Sequence, residues 1–166
     1  MINYKYDEKV YNKKNEIAKK IKYIENKDNK GKLIKEDINT YSNILEIDKI
    51  NLYLNVIKAS DDYSNLDNNL VYYKTFNVSN KIIIFGHSGL GYGSYFNRID
   101  ELKKGDLANI YVNSNCYNYH LYRKYYINED ETDILNEEIN ANKLLLITCK
   151  KHDNTKRLVL EFHKIT

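Results

Sequence analysis

From Ile44 onward the chain is a succession of short apolar runs, too closely spaced to leave room for a helix after almost every strand, which a doubly wound parallel sheet needs. Ile50, Leu52, Leu54 and Val56 alternate with Asn51, Tyr53 and Asn55, the period of a half-buried strand. Val71 to Phe76 reads as a further short strand. Lys81-Ile82-Ile83-Ile84-Phe85 is a continuous apolar run, the mark of a buried central strand. Ala108 to Val112, Tyr117 to Ile127, Leu144 to Thr148 and Arg157 to His163 are the remaining strand candidates. Phe96 to Lys103 predicts one or two helical turns closed by Gly105-Asp106, and the polar, acidic segment 128–143 predicts a loop with a short helical turn. Strands this close together point to a mostly β fold, a closed or nearly closed β-barrel.

The first part of the chain has a different character. Residues 1–30 are rich in Lys, Asn and Glu, and Val10, Ile17, Ile21 and Ile24 fall at roughly helical spacing. One amphipathic helix is expected there. Its basic face either rests on a membrane or simply faces solvent, the second being the plainer reading. Asp28-Asn29-Lys30-Gly31 is a turn signal. The expected organisation is therefore an N-terminal helical extension or linker over 1–43, followed by one barrel domain over 44–166.

Composition narrows the function classes. With 166 residues the chain is the size of one domain, and 42% hydrophobic against 30% charged residues is the balance of a globular protein. Twenty-six basic and 23 acidic side chains leave a net charge of only +3, which gives no reason to expect nucleic acid as a partner. No stretch approaches the roughly 20 apolar residues that span a bilayer, and residues 1–13 carry no signal-peptide pattern. The two cysteines, Cys116 and Cys149, make no disulfide framework, and no CxxC or HExxH marks a zinc site. They leave a lone disulfide, two buried thiols or one reactive thiol.

Two strand ends carry the chemistry. The first is Gly86-His87-Ser88-Gly89, directly after the buried run. It misses the GxSxG nucleophile elbow because Leu90 stands in the fifth position. Gly89, Gly91 and Gly93 are spaced GxGxG rather than GxGxxG, so the dinucleotide loop fails as well. His87 itself is the third possibility, a group that exchanges protons near neutral pH. The second end is Leu144-Leu145-Leu146-Ile147-Thr148-Cys149, an apolar strand that surfaces at its cysteine. Lys150, Lys151 and Arg157 surround that thiol with positive charge, which favours thiolate. Arg157 opens the next strand, so in an antiparallel hairpin it lies across from or diagonal to Cys149. The bland alternative makes Cys149 an inert thiol, Arg157 a surface cation and His87 a turn residue.

These motifs together resemble the sortase family. Leu145-Leu146-Ile147-Thr148-Cys149 followed by Arg157 resembles its TLxTC…R signature, and Gly86-His87-Ser88 its histidine motif, with the histidine and cysteine 62 residues apart. Phe96-Asn97-Arg98-Ile99-Asp100-Glu101-Leu102-Lys103-Lys104-Gly105-Asp106 resembles the segment after that histidine, and Leu45-Glu46-Ile47-Asp48-Lys49-Ile50-Asn51-Leu52 the first-strand pattern. The match covers about residues 44–163 in the right order. It departs where Leu145 replaces the signature's first Thr and Asp48 the first-strand Pro.

The resemblance implies an eight-stranded β-barrel with short helices and a cysteine transpeptidase activity. Such an enzyme cleaves an LPxTG-like signal near the C-terminus of a secreted protein. It passes the acyl end to an amine of a cell-wall precursor or a pilin lysine. Cys149 would be the nucleophile, His87 the acid/base and Arg157 the oxyanion-stabilising cation, with Thr148, Ser88 and Leu146 binding substrate beside them. The 128–143 segment would wall the substrate groove and looks too short for the class B insertion, so the pattern is closer to class A or D. Its Glu129, Asp130, Glu131 and Asp133 could hold Ca²⁺, as in some family members, a solvated loop being the plainer alternative; no other cofactor is implied. The implied location is the extracellular face of a Gram-positive cell membrane, with membrane association only through a segment not in this chain. Cys116 reads as a bystander and His152 as the only rival base. The competing readings are a non-catalytic barrel that binds a peptide or wall component, with Cys149 unreactive, and a hydrolase using Ser88.

Overall fold

The computed structural model describes residues 43–89, 93–113, 115–136 and 142–166. The expected N-terminal helix and the turn at 28–31 lie outside the described residues. Eight strands follow one another: β1 (Asn43–Ile47), β2 (Leu52–Lys58), β3 (Leu70–Tyr72), β4 (Ile82–Phe85), β5 (Leu107–Val112), β6 (Asn115–Asn128), β7 (Lys143–Lys150) and β8 (Asp153–Lys164). They close into a barrel in the order β1-β2-β3-β4-β7-β8-β6-β5. β2 with β3 and β4 with β7 pair in parallel; the other neighbours are antiparallel.

The period-two pattern of the strands sets which side chains fill the barrel. Leu45 and Ile47, Leu52, Leu54 and Val56, Ile82 and Ile84, Leu144 and Leu146, and Leu158, Leu160 and Phe162 all belong to one buried core. The alternate residues of β4, β7 and β8 face outward. There Ile83, Leu145, Ile147 and Val159 form a second apolar cluster, covered by Phe85, Tyr125, Ile127, Ile134 and Leu135. β4 and β7 therefore read as continuous apolar runs because both of their faces are covered.

The short connecting elements depart from expectation. Ile50 does not begin β2: Asp48–Ile50 is a 3-10 turn, and Asn51 follows it with φ 52°. The strand expected over Val71 to Phe76 is confined to β3, because Lys74 takes a positive φ of 56° and the chain turns there. Within Phe96 to Lys103 only Ile99–Glu101 is helical, a single 3-10 turn pinned by the buried Ile99 and Leu102. The expected turn in the 128–143 segment is the helical turn Asp133–Asn136. Among the described residues no helix is long and apolar enough to cross a membrane.

Candidate active site

The parallel pairing of β4 with β7 runs from Ile82 opposite Leu144 to Phe85 opposite Ile147. Two parallel neighbours emerge from the sheet at the same end. Gly86-His87 and Thr148-Cys149 are thus delivered side by side, although they lie far apart in sequence. The Gly86 N–H continues the ladder by donating to the Ile147 carbonyl at 3.2 Å. Ser88 Oγ then donates to the Cys149 carbonyl at 2.8 Å, and the Phe96 N–H donates to the His87 carbonyl at 2.9 Å. The histidine loop is stitched to the barrel on both sides of His87. Only glycine fits at position 86: a Cβ there would lie 2.6 Å from the Phe96 ring and 2.7 Å from Leu70. The His87 ring is partly exposed, with Nε2 3.3 Å from Asp67 Oδ1.

On β7, Cys149 keeps the parity of Leu145 and Ile147, so it belongs to the outer face. Both cysteines are free thiols; Cys149 is half-buried, and Cys116 is exposed on β6. The antiparallel β7–β8 register sets Cys149 directly opposite Arg157. The next pair is Lys150 with Asp153, so residues 154–156 of β8 form a bulge. That bulge folds back on Arg157. Nη1 donates to the Asn154 carbonyl at 2.7 Å and the Lys156 carbonyl at 3.2 Å, and Nη2 lies 3.4 Å from Glu129 Oε2. The bulge is held in turn by Asp153, whose carboxylate accepts from the Thr155 hydroxyl at 2.6 Å and the Thr155 N–H at 3.1 Å; these bonds keep the Asp153 carboxyl below the usual range.

His87, Cys149 and Arg157 line one groove of about 220 Å³. Its floor is the outer apolar cluster around Phe85, Ile127 and Ile147, and Leu66, Ile134 and Leu135 form its sides. A thiol, an imidazole and a guanidinium around an apolar trough supply a nucleophile, a proton carrier and a fixed cation.

The other expected site residues divide. Thr148 is 4% exposed, lines the groove, and its Oγ1 has no hydrogen-bond partner among the described residues. Ser88 does not line this groove; its hydroxyl is engaged by the Cys149 carbonyl, not by an imidazole, which removes support from the serine-hydrolase reading. Leu146 is a correction. Its parity on β7 turns it into the barrel, where it is fully buried in the main core and cannot meet a substrate on the outside. His152 sits exposed in the β7–β8 turn with φ 64° and does not line the groove.

Two carboxylates join the site in roles the sequence does not signal, Asp67 with no motif at all and Glu129 expected only as a possible Ca²⁺ ligand. Asp67 reaches His87 from the 3-10 turn Ser64–Asp67, and Glu129 reaches Arg157 from just past β6. Glu131 is likewise engaged, accepting from the Asn128 N–H at 3.2 Å and from Asn128 Nδ2 at 2.7 Å. Among the described residues no group of three or more His, Cys, Asp or Glu is placed to hold a metal ion.

Comparison with known proteins agrees with this geometry. A family model described as a sortase domain matches residues 45–164. Sortase D of Bacillus subtilis (strain 168) is 28% identical over 111 residues, 65% of this chain and 54% of that protein, so the chain spans about half the length of the curated relative it matches. Two solved structures are similar in fold. A sortase D5 transpeptidase of Clostridium perfringens is 18% identical, with 100% of both chains covered and a TM-score of 0.66. Sortase C of Clostridium perfringens, solved with the C-terminal cell wall sorting motif, is 23% identical, covering 74% of this chain and 69% of that one with a TM-score of 0.64.

Proposed function

The chain belongs to the sortase family, and from that premise we propose that it is a cysteine transpeptidase that cleaves an LPxTG-like sorting signal through a thioacyl-enzyme and transfers the acyl end to an amine. The observation that carries the reading is the direct cross-strand pairing of Cys149 with Arg157, in a groove that His87 also lines.

The chemistry follows from those three groups. Cys149 Sγ attacks the scissile carbonyl carbon, forming a C–S bond. Arg157, together with backbone N–H groups, balances the charge on the resulting oxyanion. His87 protonates the leaving amine as the C–N bond breaks, and a thioester remains. An incoming amine then attacks the thioester, passes its proton to His87 and releases Cys149. These groups suffice for the reaction, so the proposal calls on no cofactor. The apolar floor of the groove suits the aliphatic residues of a sorting signal, and Thr148 Oγ1 offers an unpartnered polar contact beside Cys149.

Sortases act at the surface of Gram-positive bacteria. The proposed place of this chain is the extracellular face of such a membrane. The proposed donors are secreted proteins with a C-terminal sorting signal, and the proposed acceptors are amines of a cell-wall precursor or a pilin. The solved Clostridium perfringens sortase C, with its sorting motif, supports a donor of this kind.

The test is the intact mass of the protein after incubation with a pool of LPxTG-like peptides, beside a Cys149→Ala control. The expected result is an acyl adduct on the native chain alone, released by hydroxylamine. A free Cys149 thiol that acquires no adduct from any peptide would overturn the proposal in favour of a binding barrel.

A further inference from the structure

His87 carries two ring nitrogens, and their surroundings differ. Nε2 lies 3.3 Å from Asp67 Oδ1, whereas Nδ1 has no hydrogen-bond partner among the described residues. An ionised carboxylate can only accept a hydrogen bond. Asp67 therefore pairs with the tautomer that carries its proton on Nε2, and the lone pair falls to Nδ1. Asp67 is not among the residues that wall the groove, so it meets the imidazole without taking space from a substrate.

The Asp67 side chain is 76% exposed, and burial does not hold it in place. Its backbone does. Asp67 ends the 3-10 turn Ser64–Asp67, and that turn hangs on Asn65. Asn65 Nδ2 donates to the Lys58 carbonyl at 2.8 Å, and Asn65 Oδ1 accepts from the Ser60 N–H at 3.0 Å and the Ser60 hydroxyl at 3.1 Å. Asn69 Nδ2 closes the far side by donating to the Asn65 carbonyl at 2.9 Å. The chain after His87 then presses on the turn at Gly93, where φ is 79° and a Cβ would run into the Asp67 carbonyl. The stretch that carries His87 and the turn that carries Asp67 meet through backbone as well as through side chains, so a fixed frame delivers the carboxylate.

The other charges around the groove are engaged elsewhere. Arg157 of β8 holds the Glu129 carboxylate, and Glu131 is tied to Asn128. Asp67 is the one carboxylate paired with His87 among the described residues. When the ring takes up a proton, that carboxylate stands beside the new positive charge and favours it.

We infer that Asp67 is the positioning residue of His87: it holds the tautomer protonated on Nε2 and leaves Nδ1 as the nitrogen that exchanges protons with Cys149 and the amines. The inference rests on the transpeptidase reading. In acylation the Cys149 S–H proton passes to Nδ1 as sulfur bonds to the carbonyl carbon. Nδ1 gives that proton to the leaving nitrogen as the C–N bond breaks. In the second half the incoming amine's proton passes to Nδ1 and then to Cys149 sulfur, which keeps the electron pair of the broken C–S bond. Nε2 retains its own proton throughout.

The first measurement is nitrogen NMR of the ring-labelled full chain, with the His87 signals identified by their loss in His87→Gln. The neutral ring is expected to show a protonated Nε2 and a bare Nδ1. A proton on Nδ1 would overturn the inference whatever any variant does. The second is alkylation by iodoacetamide, followed by mass on the peptide that contains Cys149. Asp67→Ala is expected to slow it about two- to fivefold, the scale of one exposed ion pair. In the His87→Gln background the same substitution is expected to change nothing. A loss that persists there would mean that Asp67 acts on the thiol or the fold and not through the imidazole, against the inference. With a sorting peptide, Asp67→Ala is expected to lower kcat for acylation about tenfold at unchanged KM, a part of what a well-placed proton carrier supplies. Asp67→Asn, which keeps an acceptor and loses the charge, is expected to lower it about threefold. Native kinetics in Asp67→Ala, or a raised KM with kcat intact, would overturn the inference and leave the transpeptidase reading standing. No acyl-enzyme from the native chain with any peptide would overturn that reading, and this inference with it.

Discussion

Three oxygens converge on the Arg157 guanidinium before any substrate arrives: two carbonyls of its own bulge and the Glu129 carboxylate. A lysine has neither the planar fork nor the reach to take up those contacts, so Arg157→Lys is not a conservative change here. Both Arg157→Lys and Arg157→Ala are expected to slow acylation by about 10²–10³-fold, the usual cost of losing an oxyanion donor. Iodoacetamide should still alkylate Cys149 at the native rate. A parallel fall in alkylation would mean that Arg157 acts on the thiol and not on the oxyanion. Ser88 is a second residue whose role is positional. Ser88→Ala removes the tie between the histidine loop and the Cys149 carbonyl, and about 1 kcal/mol of stability in urea titration is expected to go with it. Turnover should fall without vanishing. The candidate triad was legible residue by residue, because each member stands at a point where an apolar run meets polar sequence. Leu146 was misplaced for a physical reason. In a strand apolar on both faces, alternation exists but does not say which parity points inward.

At the scale of elements, β8 holds its two neighbours through one buried carboxylate. Glu161 is 2% exposed and meets Arg123 of β6 at 2.7 Å, Lys143 of β7 at 2.9 Å and His163 of its own strand at 2.8 Å. Burial alone would push its carboxyl up, but the hydrogen bonds from His163, Lys143 and Arg123 outweigh it and hold it at about 2, against an ordinary value of 4.5. A carboxyl depressed in the folded state contributes stability that is complete above its unfolded value and is lost as pH falls toward the folded one. Thermal melts should therefore drop as pH falls from about 4.5 to about 2, and Glu161→Gln should flatten that part of the curve. A native curve unchanged over this range would show that the cluster does not couple to folding. The strands themselves were legible because alternation and unbroken apolar runs report how many faces are covered. Their partners were not, since nothing local in β4 announces a parallel neighbour as distant as β7. The 3-10 turns were misjudged because three residues are too few to display any period.

The described residues form a closed sheet in which β1 pairs with both β2 and β5, and β7 sits between β4 and β8. Gly86 lies just past β4, packed against Phe96 and Leu70. Gly86→Ala drives a methyl into Phe96 and Leu70, and overpacking of this kind costs about 1–3 kcal/mol, read as a lowered Tm. Pairings between strands distant in sequence make loop closure expensive, so refolding is expected on the millisecond-to-second scale. With 17 tyrosines and no tryptophan, it can be followed by tyrosine fluorescence, and microsecond relaxation would contradict the topology. The insertion of β7 beside β4 has one more consequence, in the order of events during synthesis. A ribosome finishes His87 and its strand well before it reaches Cys149, and the bulge that cradles Arg157 comes later still. A half-made chain holds an imidazole with no thiol, and then a thiol with no cation. The three groups share one groove only where β7 is docked between β4 and β8, so a chain that stops short of β8 lacks the complete centre.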